Sequence, residues 1–176
     1  MNFVVLGPQG SGKSTQAKLL AEYLKLPHIS TGDIFRRLEN EDSDLGKRIK
    51  SKLSQGFLVA DSDVNAVLTE EFAKSEYSNG VVLDGCPRNL TQAKEFPLKF
   101  DKVVYLEVSD EVGTERLLRR QREDDTPDVI KERLSTYHLE TEPMLDFYRQ
   151  RGLLVEVNGE QSIEAIFEEI KQTLAK

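Results

Sequence analysis

The stretch Gly7-Pro8-Gln9-Gly10-Ser11-Gly12-Lys13-Ser14 decides the fold, because it matches the pattern G-x-x-x-x-G-K-[ST] at every defined position. It follows the apolar run 3–6 and opens a segment with apolar residues at helical spacing, which predicts a strand, a phosphate-binding loop and a helix. Glycines let backbone N–H groups surround a phosphate at the positive end of that helix, and the lysine adds a cation. A plain glycine-rich turn would explain neither the lysine nor the hydroxyl groups after it. The residues predicted to bind phosphate are Gly10, Ser11, Gly12, Lys13, Ser14 and Thr15.

Further short apolar runs lie near 80–84, 102–108 and 152–157, with a weaker one at 26–29, and helical patterns separate them. This alternation predicts an α/β fold in which five parallel strands form a sheet with helices on both faces. The carboxyl ends of parallel strands share one edge of the sheet, where such folds bind ligands. The phosphate-binding loop lies at that edge, so we expect other functional side chains there too.

Composition limits the class of protein. The length of 176 residues fits one domain, and the net charge of −7 opposes general attraction to nucleic acid or an anionic membrane, so we expect neither partner. The single cysteine, Cys86, excludes an intrachain disulfide, and with only His28 and His138 beside it no zinc site is expected. Both histidines are interpreted as packing or surface residues. Without a basic leader or an apolar run of the ~18 residues that a membrane span needs, we expect a soluble, unprocessed, cytoplasmic protein.

The segment 30–59 is long for a single crossover and carries helical patterns, which favours a small helical insertion that grips a substrate. It starts with the capping sequence Ser30-Thr31-Gly32-Asp33, and Arg36 follows in the first turns. Gly56 is expected to end one helix and Asp61 to cap the next. An ordinary helical connection is the alternative.

An aspartate and an arginine follow the apolar run at 80–84. Asp84 ends this predicted strand and can hold Mg²⁺ directly or through water, while Arg88 would reach a phosphate. Capping of the following turn is the structural alternative for Asp84. Gln92 lies one helical turn after Arg88 and could read the edge of a base, because its amide both donates and accepts.

Arginines are concentrated at 116–122, without acidic partners interleaved at the spacing of helical ion pairs. Arg116 and Arg119 are explained at least as well by a solvated helix face. The arginines interpreted as functional are Arg120, Arg122 and Arg133.

A long helix is expected to start at Thr126 and Pro127, and Pro143 should kink it by removing a backbone donor. A last helix is expected to bury Ile163 after the turn 158–162, whose backbone either contacts a nucleotide base or forms a plain turn.

These side chains suffice for phosphoryl transfer, in which positioning and charge neutralisation supply most of the catalysis. If the acceptor is itself a phosphate, it is already ionised at neutral pH and needs no general base. The lack of a well-placed histidine is then no obstacle to this chemistry.

The whole chain resembles the adenylate kinases of the nucleoside monophosphate kinase family, through motifs that occur in the family's order. The matching segments are 7–16, Ser30-Thr31-Gly32-Asp33 with Arg36, Asp84-Gly85-Cys86-Pro87-Arg88 with Gln92-Ala93, and Arg122-Glu123-Asp124-Asp125 with Arg133-Leu134. The resemblance implies a P-loop kinase fold and reversible, Mg²⁺-dependent transfer of the γ-phosphoryl group of ATP to AMP, giving two ADP and balancing the adenine nucleotides. Thr31 and Gln92 resemble the adenylate rather than the uridylate/cytidylate members. A UMP/CMP-type kinase and a non-catalytic adenine nucleotide sensor are the alternative functions.

The resemblance also implies roles for individual residues. The AMP-binding residues would be Thr31, Arg36, Phe57, Val59, Gly85, Arg88 and Gln92. The catalytic residues would be Lys13, Arg88, Arg120, Arg122 and Arg133. ATP would bind the phosphate-binding residues named above together with Gln161 and Arg120, which would also cover the adenine. Ser14 and Asp84 would hold Mg²⁺, and the expected partners are the nucleotides ATP, AMP and ADP, bound by a monomer or, alternatively, a homo-oligomer.

The sequence departs from the family at three points. Cys86 stands where a phenylalanine is usual, and Ser14 where a glycine is common. Only Gln121 separates Arg120 from Arg122, where family members carry a longer lid, so the zinc-binding lid of some bacterial members is absent and closure should depend mainly on the insertion. The predicted organisation is core 1–29, AMP-binding helical insertion 30–59, core 60–118, vestigial short lid 119–125 and core 126–176.

Overall fold

The computed structural model describes residues 1–120, 122 and 125–175, which form a sheet surrounded by helices. The strands are β1 Asn2–Leu6, β2 His28–Ser30, β3 Val81–Asp84, β4 Lys102–Glu107 and β5 Leu154–Asn158. Neighbouring strands pair in parallel in the order β2-β3-β1-β4-β5. The predicted fold class is confirmed, although β2 starts two residues later than the apolar run at 26–29 indicated.

Helices connect and cover the strands. They are α1 Lys13–Leu24, α2 Thr31–Leu38, α3 Asp44–Leu53, α4 Asp61–Phe72, α5 Leu90–Glu95, α6 Asp110–Arg120, α7 Pro127–Thr136, α8 Leu145–Arg149 and α9 Ile163–Leu174. Single turns of other helix types occur at Ser75–Tyr77 and Glu142–Met144 (3₁₀) and at Tyr137–Thr141 (π). The Ser30 hydroxyl caps α2 by accepting from the backbone N–H of Asp33, and the Thr126 hydroxyl caps α7 in the same way.

Two local predictions were wrong, and the expected disruption at Pro143 is confirmed. Ala60, not Asp61, is the N-cap of α4, and the Asp61 carboxylate instead accepts hydrogen bonds from α5 and its cap. The helical segment that begins at Pro127 continues to Arg149 through the π turn and the 3₁₀ turn, and Pro143, which has no N–H to continue the ladder, lies in the 3₁₀ turn. Ile163 is 51% exposed, since it is the first residue of α9 and lies at the end of the helix.

The core has one layer on each face of the sheet. Along β1, Phe3 and Val5 face α1 and α9, while Val4 and Leu6 face the π turn and α8. Both faces are buried, which explains why the strands read as continuous apolar runs. A third, smaller cluster fills the insertion and includes Val59 and Cys86.

The strand register brings the candidate residues to one edge. Asp84 at the end of β3 pairs with Val5 of β1 on one side and with Ser30 of β2 on the other. The chain leaves β1 toward β2 and leaves β4 toward β5, in opposite directions, so a crevice opens between these connections. The glycine-rich loop lies over this crevice.

Candidate active site

The loop between β1 and α1 has the backbone of a phosphate cradle. Gly12, at φ +87°, is the N-cap of α1, so the first N–H groups of the helix and its positive end are directed at the loop. Gly10, at φ +81°, packs against the α6 backbone so closely that a Cβ would lie 2.2 Å from the carbonyl oxygen of Gly113. Lys13 folds back over the loop, and its ammonium donates to the Pro8 carbonyl at 3.1 Å.

Asp84 is the buried carboxylate of the site, at 2% exposure. Its Oδ1 accepts from the Ser14 hydroxyl at 3.2 Å and from the Ser30 hydroxyl at 3.3 Å. Its Oδ2 lies 2.7 Å from Nε2 of His28, which is 16% exposed. Sequence reasoning treated His28 as a packing or surface residue and missed this contact, although the position of His28 two residues before Ser30, on the same face of β2, could have indicated it.

The Ser14 and Asp84 oxygens suit Mg²⁺, which prefers hard oxygen ligands. Among the described residues, no group of three or more His, Cys, Asp or Glu side chains is arranged to hold a metal ion by itself. A magnesium ion here would therefore depend on ligands from a bound phosphate as well as from the protein.

The charges of three arginines act on the Lys13 ammonium. The pKa of Lys13 is lowered to about 8, chiefly because burial disfavours the charged form and then because of the Arg88 charge. Asp84 opposes this effect, and Arg120 and Arg133 add to it. The side chain keeps partial contact with solvent, yet protein atoms surround its charged end. Like charges clustered in this way repel one another, and an anion bound among them would reduce that repulsion.

Hydrogen bonds hold Arg88 at its side chain, at its backbone N–H and at its backbone carbonyl. Its Nε donates to the Gly85 carbonyl at 2.6 Å, and its backbone N–H donates to Oε1 of Gln92 at 2.8 Å. Its carbonyl accepts from the Thr141 hydroxyl at 2.6 Å. Gln92 is 1% exposed, and its Nε2 donates to Asp61 at 2.7 Å, so the orientation of its amide is fixed.

Arg120 and Arg133 share one carboxylate. Arg120 binds both oxygens of Asp125, at 2.9 and 2.8 Å, and Arg133 reaches Oδ1 at 3.2 Å. Asp125 has 1% of its side chain exposed, so the pair is oriented by a buried anion. Three residues of the predicted short lid, Gln121, Glu123 and Asp124, lie outside the described residues.

Arg122, two residues after the end of α6, acts electrostatically on Asp33 of the insertion. Burial alone would raise the pKa of Asp33, but a hydrogen bond and the charge from Arg36, a hydrogen bond from Ser30 and the charge of Arg122 lower it. The carbonyl of Arg122 accepts from the backbone N–H of Asp125 at 2.9 Å.

The residues predicted to bind AMP lie on the other side of Asp84 from the glycine-rich loop. Thr31 is buried and donates to the Asp84 carbonyl at 3.0 Å, Gly85 has φ +88°, and Arg36 pairs with Asp33. Phe57 is 39% exposed, whereas the Val59 side chain is buried in the insertion core, which leaves its backbone as the group a base could meet.

Two residues near β5 make contacts that sequence reasoning did not anticipate. The Gln161 amide donates to the Asn158 carbonyl and to Glu169 of α9, so this side chain serves its own turn. Arg116, which sequence reasoning favoured as part of a solvated face, is partly buried and donates to the Gly159 carbonyl at 2.9 Å and to the Gly10 carbonyl at 3.5 Å. It thus joins the phosphate loop to the turn after β5, which no local pattern indicated.

Residues 5–153 match the family model described as adenylate kinase. The chain belongs to the adenylate kinase family. It is 43% identical to adenylate kinase 1 of a Nostoc species, over 97% of each chain. It is 40% identical to the adenylate kinase of Trichodesmium erythraeum, over 100% of this chain and 98% of the relative, and 44% identical to that of Bifidobacterium longum, over 94% and 95%.

Membership of the adenylate kinase family confirms the resemblance drawn from the four motifs. Within the part of the chain that the structure describes, helices long and apolar enough to cross a membrane are absent. Of the motif residues, Asp84 lies at the carboxyl end of β3 beside Ser30 of β2 and is hydrogen-bonded to Ser14 of the glycine-rich loop, and Arg88 follows it in the next loop.

Proposed function

We propose that this chain is an ATP:AMP phosphotransferase that uses the candidate site to move the γ-phosphoryl group of ATP to AMP reversibly. The observation that carries the residue roles is the contact of Ser14 in the glycine-rich loop with the buried Asp84, next to Lys13, whose pKa is lowered by burial and by the charges of Arg88, Arg120 and Arg133. A single buried carboxylate, Asp84, opposes that effect. The phosphates of two nucleotides facing each other would bring further negative charge to this cluster of cations.

The proposed roles of the lysine and arginine side chains follow from the groups that hold each of them in place. Lys13 lies on the donor loop, and Arg88 lies on the acceptor side, where its Nε donates to the Gly85 carbonyl and its two Nη groups would donate to phosphates. Arg120 and Arg133 are both oriented by Asp125, and Arg122 lies two residues after Arg120 in the chain. Negative charge on the transferred group would be neutralised from several directions. The AMP phosphate is already ionised, so no side chain needs to remove a proton.

Ser14 and Asp84 would hold Mg²⁺, the Asp84 carboxylate directly or through water. When bound, the metal would screen the phosphate charges and orient the donor phosphates. The contact with His28 keeps Asp84 in place on the side of β2.

The two bases would bind on opposite sides of this centre. On the donor side, the planar guanidinium of Arg116 lies between Gly10 and Gly159, beside Gln161, and can stack on a base. On the acceptor side, Arg36 would bind the AMP phosphate. The residues that would surround the rest of AMP are Thr31, Gly85, Phe57, Val59 and Gln92.

Closure of the site is expected to come mainly from the insertion 30–59. A Cβ at Gly56 would lie 3.3 Å from the Val129 carbonyl and 3.4 Å from Cγ of Arg133, so the end of the insertion packs directly on α7. AMP alone should therefore reduce the radius of gyration in small-angle X-ray scattering more than ATP alone does. A larger reduction with ATP alone would assign closure to the lid side instead.

The choice of phosphate acceptor tests the proposed function. ADP formation from Mg·ATP is measured with AMP, CMP, UMP, GMP or no acceptor, and AMP should give a rate at least about tenfold above every other acceptor. Equal rates with CMP or UMP would indicate a pyrimidine kinase. If AMP binds while ADP forms no faster than without an acceptor, the chain is an adenine nucleotide sensor and the proposal fails.

A further inference from the structure

The Thr141 hydroxyl is a buried polar group that the proposed chemistry does not use. Thr141 is 6% exposed and is the last residue of the π turn Tyr137–Thr141. A buried threonine in a helix commonly returns its hydroxyl to a carbonyl of its own preceding turn. Here the hydroxyl donates across to the carbonyl of Arg88, 53 residues earlier in the chain, at 2.6 Å.

The π turn explains how Thr141 reaches Arg88. A π turn carries one residue more than an α-helical turn and so changes the direction of the side chains that follow it. Pro143, which lacks a backbone donor, lies two residues later in the 3₁₀ turn Glu142–Met144. That turn packs against α5, the helix directly after Arg88.

Arg88 gains a complete set of anchors through this bond. Its N–H is held by Gln92, its Nε by Gly85 and its carbonyl by Thr141. The first two anchors come from the same short segment, 85–92, whose bonds to Asp61 fix it to α4, and the Thr141 bond fixes it to a second part of the protein. Thr141 belongs to the helical segment that begins with α7, and α7 carries Arg133.

We infer that Thr141 is a positioning residue for phosphoryl transfer, whose hydroxyl fixes the main chain of Arg88 and so ties this arginine to the segment that carries Arg133. The inference rests on the proposed role of Arg88. A guanidinium that bridges two phosphates must be placed within a fraction of an ångström, because small misplacements of a catalytic group cost large factors in rate. Losing the hydroxyl should therefore lower kcat more than it raises KM.

The test compares variants that differ in the hydroxyl. Thr141→Val keeps the branched shape and removes the donor, Thr141→Ala removes both, and Thr141→Ser keeps the donor. We expect kcat to fall about tenfold in the valine and alanine variants, KM for AMP to change less than about threefold, and serine to restore at least about half of kcat. The matched control is Thr173→Val, because the Thr173 hydroxyl donates to the Glu169 carbonyl within α9, away from the site.

A double-mutant cycle shows whether Thr141 acts through Arg88. In an Arg88→Lys background, Thr141→Val should lower kcat less than about twofold. An equal fall in both backgrounds, or an equal fall in Thr173→Val, would overturn the inference. Full activity of Arg88→Lys would instead show that Arg88 acts through its charge alone and would overturn the role given to the geometry of its guanidinium, and an unchanged kcat in both Thr141→Val and Thr141→Ala would overturn the role of Thr141 alone. If the valine variant fails to fold, the alanine and serine variants still decide the question.

Discussion

Lys13→Met is expected to lower kcat for ADP formation about 10³-fold, the largest loss from any single side chain of the donor loop. Methionine fills nearly the same volume, so the loop keeps its packing and loses the charge and the hydrogen bond to the Pro8 carbonyl. Lys13 is the first residue of α1, and the positive charges of Arg88, Arg120 and Arg133 act on its ammonium group. Its loss removes stabilisation from the phosphates both in the ground state and, more strongly, as charge moves between them.

The matched control is Lys18→Met, which removes a lysine from the exposed face of the same helix. Its kcat should remain within about twofold of the wild type, because a solvated charge on a helix face contributes little. If Lys13→Met retained more than about a tenth of the wild-type kcat, the glycine-rich loop would not be the donor site as proposed.

The same substitution should stabilise the nucleotide-free protein. Burial and the neighbouring arginines lower the pKa of Lys13 from 10.5 to about 8, so carrying the charge costs folding free energy at pH 7. We expect Lys13→Met to raise the unfolding free energy at pH 7 by about 1–2 kcal/mol, reduced from the full effect by the partial exposure of the side chain. Between about pH 8 and 10.5, the unfolded chain holds a proton that folded Lys13 has released, so wild-type stability rises with pH relative to the variant. Urea denaturation of both proteins at pH 7 and pH 9.5 measures whether the difference between their unfolding free energies shrinks as the pH rises.

The fold could be predicted because its signals are local. The loop 7–14, the apolar runs and the caps at Ser30 and Thr126 each depend on neighbouring residues, and together they define parallel strands with helices between them. The same holds for Lys13, Ser14, Asp84 and Arg88, because the carboxyl ends of parallel strands necessarily meet at one edge. For a motif at the carboxyl end of a strand, the sequence alone was enough to predict its position at the candidate site.

The missed features depend on partners distant in sequence. Arg116 lies on α6 in a pattern that also fits a solvated face, and only its contacts with Gly10 and Gly159 distinguish the two interpretations. His28 is close to Asp84 because β2 pairs with β3 in one particular register. Thr141 reaches Arg88 only because the expected helix contains a π turn. No local propensity encodes such contacts.

Arg88→Lys tests whether geometry or charge makes this residue effective, and we expect kcat to fall about 10²-fold and KM for AMP to rise about tenfold. Lysine keeps the positive charge that lowers the pKa of Lys13, so the charge balance of the site is unchanged. Its three N–H groups, however, diverge from one nitrogen, so lysine cannot hold the Gly85 carbonyl and also present the planar, parallel pair of N–H groups that the guanidinium offers to phosphates. The matched control is Arg149→Lys, an exposed arginine paired with Asp146 and Glu156 on α8 and β5. Steady-state kinetics with AMP varied at saturating Mg·ATP separates the two parameters. A kcat within threefold of the wild type would mean that Arg88 contributes charge alone, and the anchoring of its Nε and main chain would then have no catalytic consequence.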